Sequence, residues 1–144
     1  MLKTMLEKNL YSVHDGFDNW EDALRAAVVP MVRSNIVTER YADSIIAAVH
    51  QFGPYIVIAP DICIPHANDP ENVNESAICF MKTVRPVSFG DEPDESARLF
   101  FVLAAKDEKI HLQNMRALMK LLSDPALMEP LSEVTCEEEL LALM

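Results

Sequence analysis

Glycine and cysteine are both scarce, at three residues each in a chain of 144. So few glycines leave no room for a glycine-rich phosphate loop. Neither G-x-x-x-x-G-K-[ST] nor G-x-G-x-x-G occurs, so nucleotide binding lacks its usual cradle. Cys63, Cys79 and Cys136 are widely spaced, with no C-x-x-C pair and no Cys/His finger pattern. Scattered thiols of odd number fit a reducing compartment, with at least two in the core, rather than a disulfide framework or structural zinc. No apolar run reaches the ~18–20 residues that span a bilayer. The opening residues, Met1 to Asn9, lack the apolar stretch and small-residue cleavage site of a secretory signal, which points to the cytoplasm. Positive charge is scarce too: 12 Lys and Arg against 23 Asp and Glu, a net charge of −11. That balance argues against nucleic acid and against an anionic membrane surface, both of which are bound through Lys and Arg. It permits electrostatic steering of a basic protein partner. There is no H-E-x-x-H or H-x-x-H pair for zinc, and no nucleophile elbow surrounds Ser76 or Ser88.

What is present is ordinary globular composition, half hydrophobic and about a quarter charged. There are no repeats and no linkers, and the length suits one domain over residues 1–144. A first helix is expected from Trp20 to Val32, capped by Asp18 or Asn19, with Ala23, Leu24, Ala27 and Val28 on one apolar face. Pro30 should kink or shorten it. A second helix is expected from Thr38, as N-cap, to about Val49, stopped by Gly53-Pro54. Tyr55 to Ala59 is a continuous apolar run, the pattern of a strand covered on both faces. Further strands are expected at Asp61–Ile64, Ser76–Met81 and Leu99–Ala104, with a short edge piece at Val87–Phe89. Leu112, Met115, Leu118, Met119 and Leu122 mark a helix that Ser123-Asp124-Pro125 ends. The methionines at helical intervals, Met115, Met119 and Met128, read as core filling. A last helix is expected from Glu137 to Met144, capped by Thr135. Together these predict an α/β fold, with a mixed, mainly parallel central sheet of about five strands flanked by helices on both faces.

Four histidines carry the chemical possibilities. His66 follows a strand directly, in Ile64-Pro65-His66-Ala67. Pro65 fixes its own φ and biases Ile64 to an extended shape, so the backbone delivering His66 is rigid. Strand ends of a buried α/β sheet are where ligands and reacting groups collect. The chain then turns polar through Asn68-Asp69-Pro70-Glu71-Asn72, which sets the imidazole between core and solvent. By position alone, a histidine that merely caps a strand remains an open reading. His111 follows the most apolar strand, near the start of a helix; a central position for that strand would bring His111 towards His66. His50 ends the second helix, where a cation suits the negative helix end. Nothing in its surroundings recommends His14.

At Gly53-Pro54-Tyr55-Ile56-Val57-Ile58-Ala59-Pro60, followed by Ile64-Pro65-His66-Ala67, the chain resembles the enzyme IIA component of the bacterial sugar phosphotransferase system. The resemblance is to the fructose–mannitol structural class and, within it, the ascorbate-type branch. Arg85 to Gly90, Leu99 to Ala105 leading into His111-Leu112, Trp20 to Leu24 and Thr38 to Tyr41 extend the likeness over nearly the whole chain. Two departures stand out. His50-Gln51 occupies the place where fructose and mannitol relatives carry an Arg-Glu pair, which the ascorbate-type branch also lacks. Asp61-Ile62-Cys63 stands where many relatives have Gly-Ile-Ala; Asp tolerates left-handed backbone better than most residues.

The resemblance implies that His66 accepts a phosphoryl group from the carrier HPr. His66 would then pass it to a cysteine of a IIB component, with sugar phosphorylation during transport by a IIC membrane partner. It implies His111 as a hydrogen-bond donor to the phosphoryl oxygens, and neither cofactor nor metal. Sugar identity follows from partner choice, since a IIA component does not touch the sugar; ascorbate is the subgroup's expectation. A regulatory IIA-like phosphoprotein that signals through a protein partner uses the same site. A small-molecule or metal-binding α/β domain without phosphotransfer is the reading from another class.

Overall fold

A computed structural model describes residues 1–143 of the chain. In chain order the elements are α1 (Leu2–Glu7), β1 (Tyr11–His14), α2 (Trp20–Arg33), α3 (Arg40–Phe52), β2 (Val57–Ala59) and β3 (Asp61–Cys63). There follow β4 (Ala77–Ser88), β5 (Ser96–Ala104), α4 (Glu108–Leu122), α5 (Pro125–Glu133) and α6 (Glu137–Leu141). The strands form one mixed sheet in the order β1-β4-β5-β3-β2. β1 runs parallel to β4 and β3 parallel to β5, while β4/β5 and β2/β3 are antiparallel.

β5 lies at the centre, and Leu99 to Ala104 are all buried there, as an unbroken apolar run requires of a strand covered on both faces. Successive side chains of a strand point to opposite faces. On β4, Cys79 meets the Ala27 carbonyl of α2, while Lys82, of opposite parity, reaches the Val134 carbonyl beyond α5. Helices therefore cover both faces of the sheet. Lys82 is buried, and burial lowers its pKa. It and Arg98, which donates to the Ser132 carbonyl at 3.2 Å, supply donors to carbonyls that the end of α5 leaves without helical partners.

Helix starts follow their caps. Asn19 accepts from the Asp22 N–H at 2.8 Å at the head of α2, and Asp107 accepts from the Ile110 N–H at 2.8 Å at the head of α4. Pro30 departs from expectation: α2 runs through it to Arg33. Thr38 sits one residue before the α3 cap, accepting from the Arg40 N–H, and the helix extends to Phe52 before Gly53 turns at φ 83°.

Other expectations also need correction. The apolar run at Tyr55–Ala59 is not a buried strand. Tyr55 and Ile56 belong to the turn begun at Gly53-Pro54, with the Val57 N–H on the Pro54 carbonyl, and the remaining three residues are a half-exposed edge strand. The piece at Val87–Phe89 is no separate strand: β4 carries on to Ser88 past an irregularity between Lys82 and Val87. Ser123-Asp124-Pro125 both ends α4 and starts α5, since Asp124 accepts from the Ala126 N–H and Pro125 takes the first helical position. Met119 is exposed, in contrast to Met115 and Met128, which pack against the core. The last helix is capped at Cys136 rather than Thr135, and its expected end at Met144 lies outside the described residues. α1 and β1 form at the N-terminus, where no element was expected; Leu2, Met5, Leu6 and Leu10 join the core.

Cys63 and Cys79 are buried free thiols and Cys136 is partly exposed and free. Burial pushes the Cys79 thiol up to about 12 and that of Cys63 well above its ordinary range, so neither is a ready nucleophile.

Candidate phosphoryl-transfer site

Because β3 and β5 are parallel neighbours, their C-terminal ends leave the sheet side by side. His66 follows one, and His111, in the first turn of α4, follows the other. The two rings stand with centroids 5.4 Å apart and planes inclined at 37°. The central placement of β5 is what joins two residues 45 positions apart in the chain.

The backbone leading to His66 is held on both sides. The Ile64 N–H donates to the Ile56 carbonyl at 2.8 Å, and the Leu103 N–H donates to the Pro65 carbonyl at 3.0 Å. Pro65 itself has no N–H to leave unpaired in the buried strand extension. His66 Nδ1 lies 2.6 Å from the Ile64 carbonyl oxygen. A carbonyl only accepts, so Nδ1 must carry the proton, and in the neutral ring the lone pair is on Nε2. Burial lowers the His66 pKa; the Ile64 carbonyl opposes this and the nearby His111 adds to it. The imidazole is therefore neutral, with one nucleophilic nitrogen chosen by the backbone.

Two tyrosines complete the frame. The Tyr55 hydroxyl donates to the His66 carbonyl at 2.5 Å, and its ring meets the imidazole edge-on at 85°, centroids 5.3 Å apart. Tyr41, buried in α3, donates to the Leu103 carbonyl at 2.5 Å and accepts from the Ala67 N–H at 3.3 Å. One hydroxyl thus clamps the residue after His66 to the end of β5, the strand that leads to His111. Burial pushes its pKa up to about 12, which keeps it a donor. Beyond His66, the Asp69 carboxylate accepts from Ser44 and Asn72, and Thr38 donates to Asn72, tying the loop to α3 and the turn before it.

The imidazoles open on a cleft of ≈ 320 Å³, whose lining includes His66, Asn68, Lys106, Asp107, Glu108 and His111. His50 is elsewhere. Its ring packs tilted at 53° against Trp20 with centroids 4.8 Å apart, and it faces Glu21 at 3.6 Å. His14 sits on β1 against Phe17, far along the sheet from the cleft residues. Reading the sequence alone missed Tyr55 and Tyr41 as parts of the site. Tyr55 was hidden in an apolar run and Tyr41 in a helical apolar face; a hydroxyl's partner is set by tertiary contacts that periodicity does not carry.

The family model described as phosphoenolpyruvate-dependent sugar phosphotransferase system, EIIA 2, matches residues 4–144. The chain belongs to this family. An EIIA chain is a phosphotransferase-system component, and phosphoryl transfer is the reaction its fold serves. Among its relatives, the ascorbate-specific PTS system EIIA component of Salmonella typhimurium is 27% identical over 142 residues, covering 98% of this chain and 92% of that one. The solution structure of the mannitol-specific cryptic phosphotransferase enzyme IIA CmtB from Escherichia coli matches with a TM-score of 0.83 at 26% identity, over 99% of this chain and 96% of that one. A complex of enzyme IIAMTL with phosphorylated enzyme IIBMTL from Escherichia coli matches with a TM-score of 0.73 at 25% identity, over 92% of each chain. IIA domains therefore pair with IIB components. Among the described residues of this EIIA chain, no helix is long and apolar enough to cross a membrane.

Proposed function

We propose that this EIIA chain, one domain over residues 1–144, carries a phosphoryl group on His66 Nε2. It takes the group from the phosphohistidine of HPr and gives it to a IIB cysteine, which feeds a IIC transporter. The Nε2 lone pair forms the new N–P bond as the donor's P–N bond breaks and its electron pair returns to the donor nitrogen. Nδ1 keeps its proton on the Ile64 carbonyl throughout. The single observation that carries this reading is that hydrogen bond of 2.6 Å, which leaves Nε2 as the free nucleophile beside His111. Transfer of this kind has a loose, in-line transition state, so positioning and charge stabilisation do most of the work. The rigid lead from β3 supplies the first. His111 supplies a hydrogen-bond donor to the phosphoryl oxygens as negative charge gathers on them. Transfer needs no metal, because the acceptor holds the group covalently.

The ascorbate-specific relatives support uptake of ascorbate or a similar compound as the pathway served, and the family match is consistent with a protein acting in the cytoplasm. Incubation with phosphoenolpyruvate, enzyme I and HPr should add about 80 Da, the mass of one phosphoryl group, to the wild-type chain and nothing to His66→Ala. An adduct that persists in His66→Ala refutes the assignment.

A further inference from the structure

We infer that the Lys106 ammonium is the cation that neutralises the phosphoryl group on His66; this rests on the phosphoryl reading above. A phosphoryl group brings close to two negative charges at neutral pH. It arrives on a chain of net charge −11, in a cleft that already holds the carboxylates of Asp107 and Glu108. His66 is consumed as the acceptor, and His111 carries positive charge only when protonated. Lys106 is the one cleft-lining side chain among the described residues with a permanent positive charge.

Its setting fits the task. The ion pairs among the described residues are Lys3–Glu7, Arg25–Asp43, His50–Glu21, Arg85–Asp15 and Arg98–Asp61, so no carboxylate holds the Lys106 head group. Asp107, its chain neighbour, is engaged as the α4 cap through the Ile110 N–H. The root of Lys106 is nevertheless fixed, since its backbone N–H donates to Ser76 Oγ at 3.0 Å between the end of β5 and the start of α4. A pinned backbone with a free, flexible ammonium suits a group that comes and goes. Lysine acts as a rotatable point charge on a flexible stem. The exposed position makes the interaction modest in energy and sensitive to salt.

The test is a 31P NMR titration of the phosphorylated protein, with stopped-flow transfer from phospho-HPr alongside. A nearby cation favours the phosphoryl dianion and lowers its second pKa. In K106Q that pKa should rise by about half a unit, and transfer should slow about threefold, equivalent to about 0.7 kcal/mol. K106R should restore both, and the melting temperature of all three proteins should coincide. Wild-type titration and rate in K106Q overturn the inference. So does a shift that K106R fails to rescue, or one accompanied by a lowered melting temperature, because either marks a structural role. Absence of an adduct from the wild type, or its retention in His66→Ala, removes the parent reading and this inference with it. A normal adduct with an unaltered K106Q removes this inference alone.

Discussion

At the scale of single residues, the proposed nucleophile is defined by one backbone carbonyl and by burial. Burial holds the His66 pKa below its ordinary 6.5. Acceptance requires neutral Nε2, so the rate of phosphorylation should stay high below pH 6.5 and fall only as pH passes through the lower folded value. An NMR titration of the imidazole should show the same midpoint; a midpoint at or above 6.5 would contradict the burial argument. The sign for stability follows from proton counting. An unfolded His66 protonates near 6.5 and the folded one at lower pH, so between these values the unfolded state binds more protons. Stability is complete above 6.5 and declines as pH falls through that window. Burial lowers the pKa of His14 as well, which adds a loss of the same sign. Urea unfolding at pH 7.5 and 5.5 should therefore show a smaller loss in His66→Gln than in the wild type, with a residual loss from His14. On the proposed reading, His111 acts after attack begins, as a donor to the phosphoryl oxygens. His111→Ala should leave the adduct detectable but cut the transfer rate by about 100-fold or more, the scale of one lost donor, and shorten the phosphohistidine lifetime. Unchanged values for both would remove His111 from the mechanism.

At the scale of elements, the site exists because two parallel strands end together, and the tight β2–β3 connection sets where one of them begins. Only Pro60 separates β2 from β3, and Asp61 accepts the turn at φ 75°. The Asp61 carboxylate is then held by Arg98 of β5, with Nε on Oδ1 at 2.9 Å and Nη2 on Oδ2 at 2.5 Å, an ion pair on the strand next door. Two contributions can be separated by substitution. Asp61→Gly removes the pair but relieves the left-handed backbone, and should cost about 1–2 kcal/mol of unfolding free energy, the worth of a charge-assisted bond. Asp61→Ala should cost about 1 kcal/mol more, because a Cβ is disfavoured at positive φ. Equal losses in urea titrations would mean that the backbone term is absent. Local residue chemistry made several of these features readable in advance. Asp61 was recognisable as a tolerable non-glycine turn residue, Asn19 as a cap, and Ile64-Pro65-His66 as a rigid strand exit. Elements whose evidence lies in tertiary contacts were not readable. β1 forms because β4 offers it a parallel edge, with Tyr11 opposite Phe80. α5 is short, carries Pro130, and keeps Leu131 as its one fully buried residue. Tyr55 looked like strand because an apolar run does not say whether a turn will interrupt it.

At the scale of the whole molecule, charge and apolar surface divide the labour of recognition. Burying the core leaves a few large apolar side chains outside, and several gather where the chemistry is. Phe52, 69% exposed, packs edge-on against Tyr55 with centroids 6.5 Å apart; Tyr55 meets His66, and His66 meets His111. Leu112, beside His111, is 49% exposed, and Met119, 47% exposed, lies seven residues along the same face of α4. Such surface has no role in folding, yet remains exposed around the proposed nucleophile, which on that reading must meet protein-bound phosphoryl groups. Closing a partner over it excludes water from the transferring group and limits hydrolysis. The remaining surface, at net −11, permits longer-range steering of a basic partner towards the protein. Phe52→Ser and Leu112→Ser should therefore raise the KM for phospho-HPr about tenfold, on the scale of losing one interface anchor of over 1 kcal/mol. The rate at saturation and the urea midpoint should stay close to wild type, because neither side chain holds the core. The apolar contribution should persist at high salt, while any electrostatic steering weakens as the Debye length shrinks to about 3 Å near 1 M. A KM unchanged by both substitutions would exclude this face from docking, and a lowered rate at saturation would show instead that the side chains help to order the site.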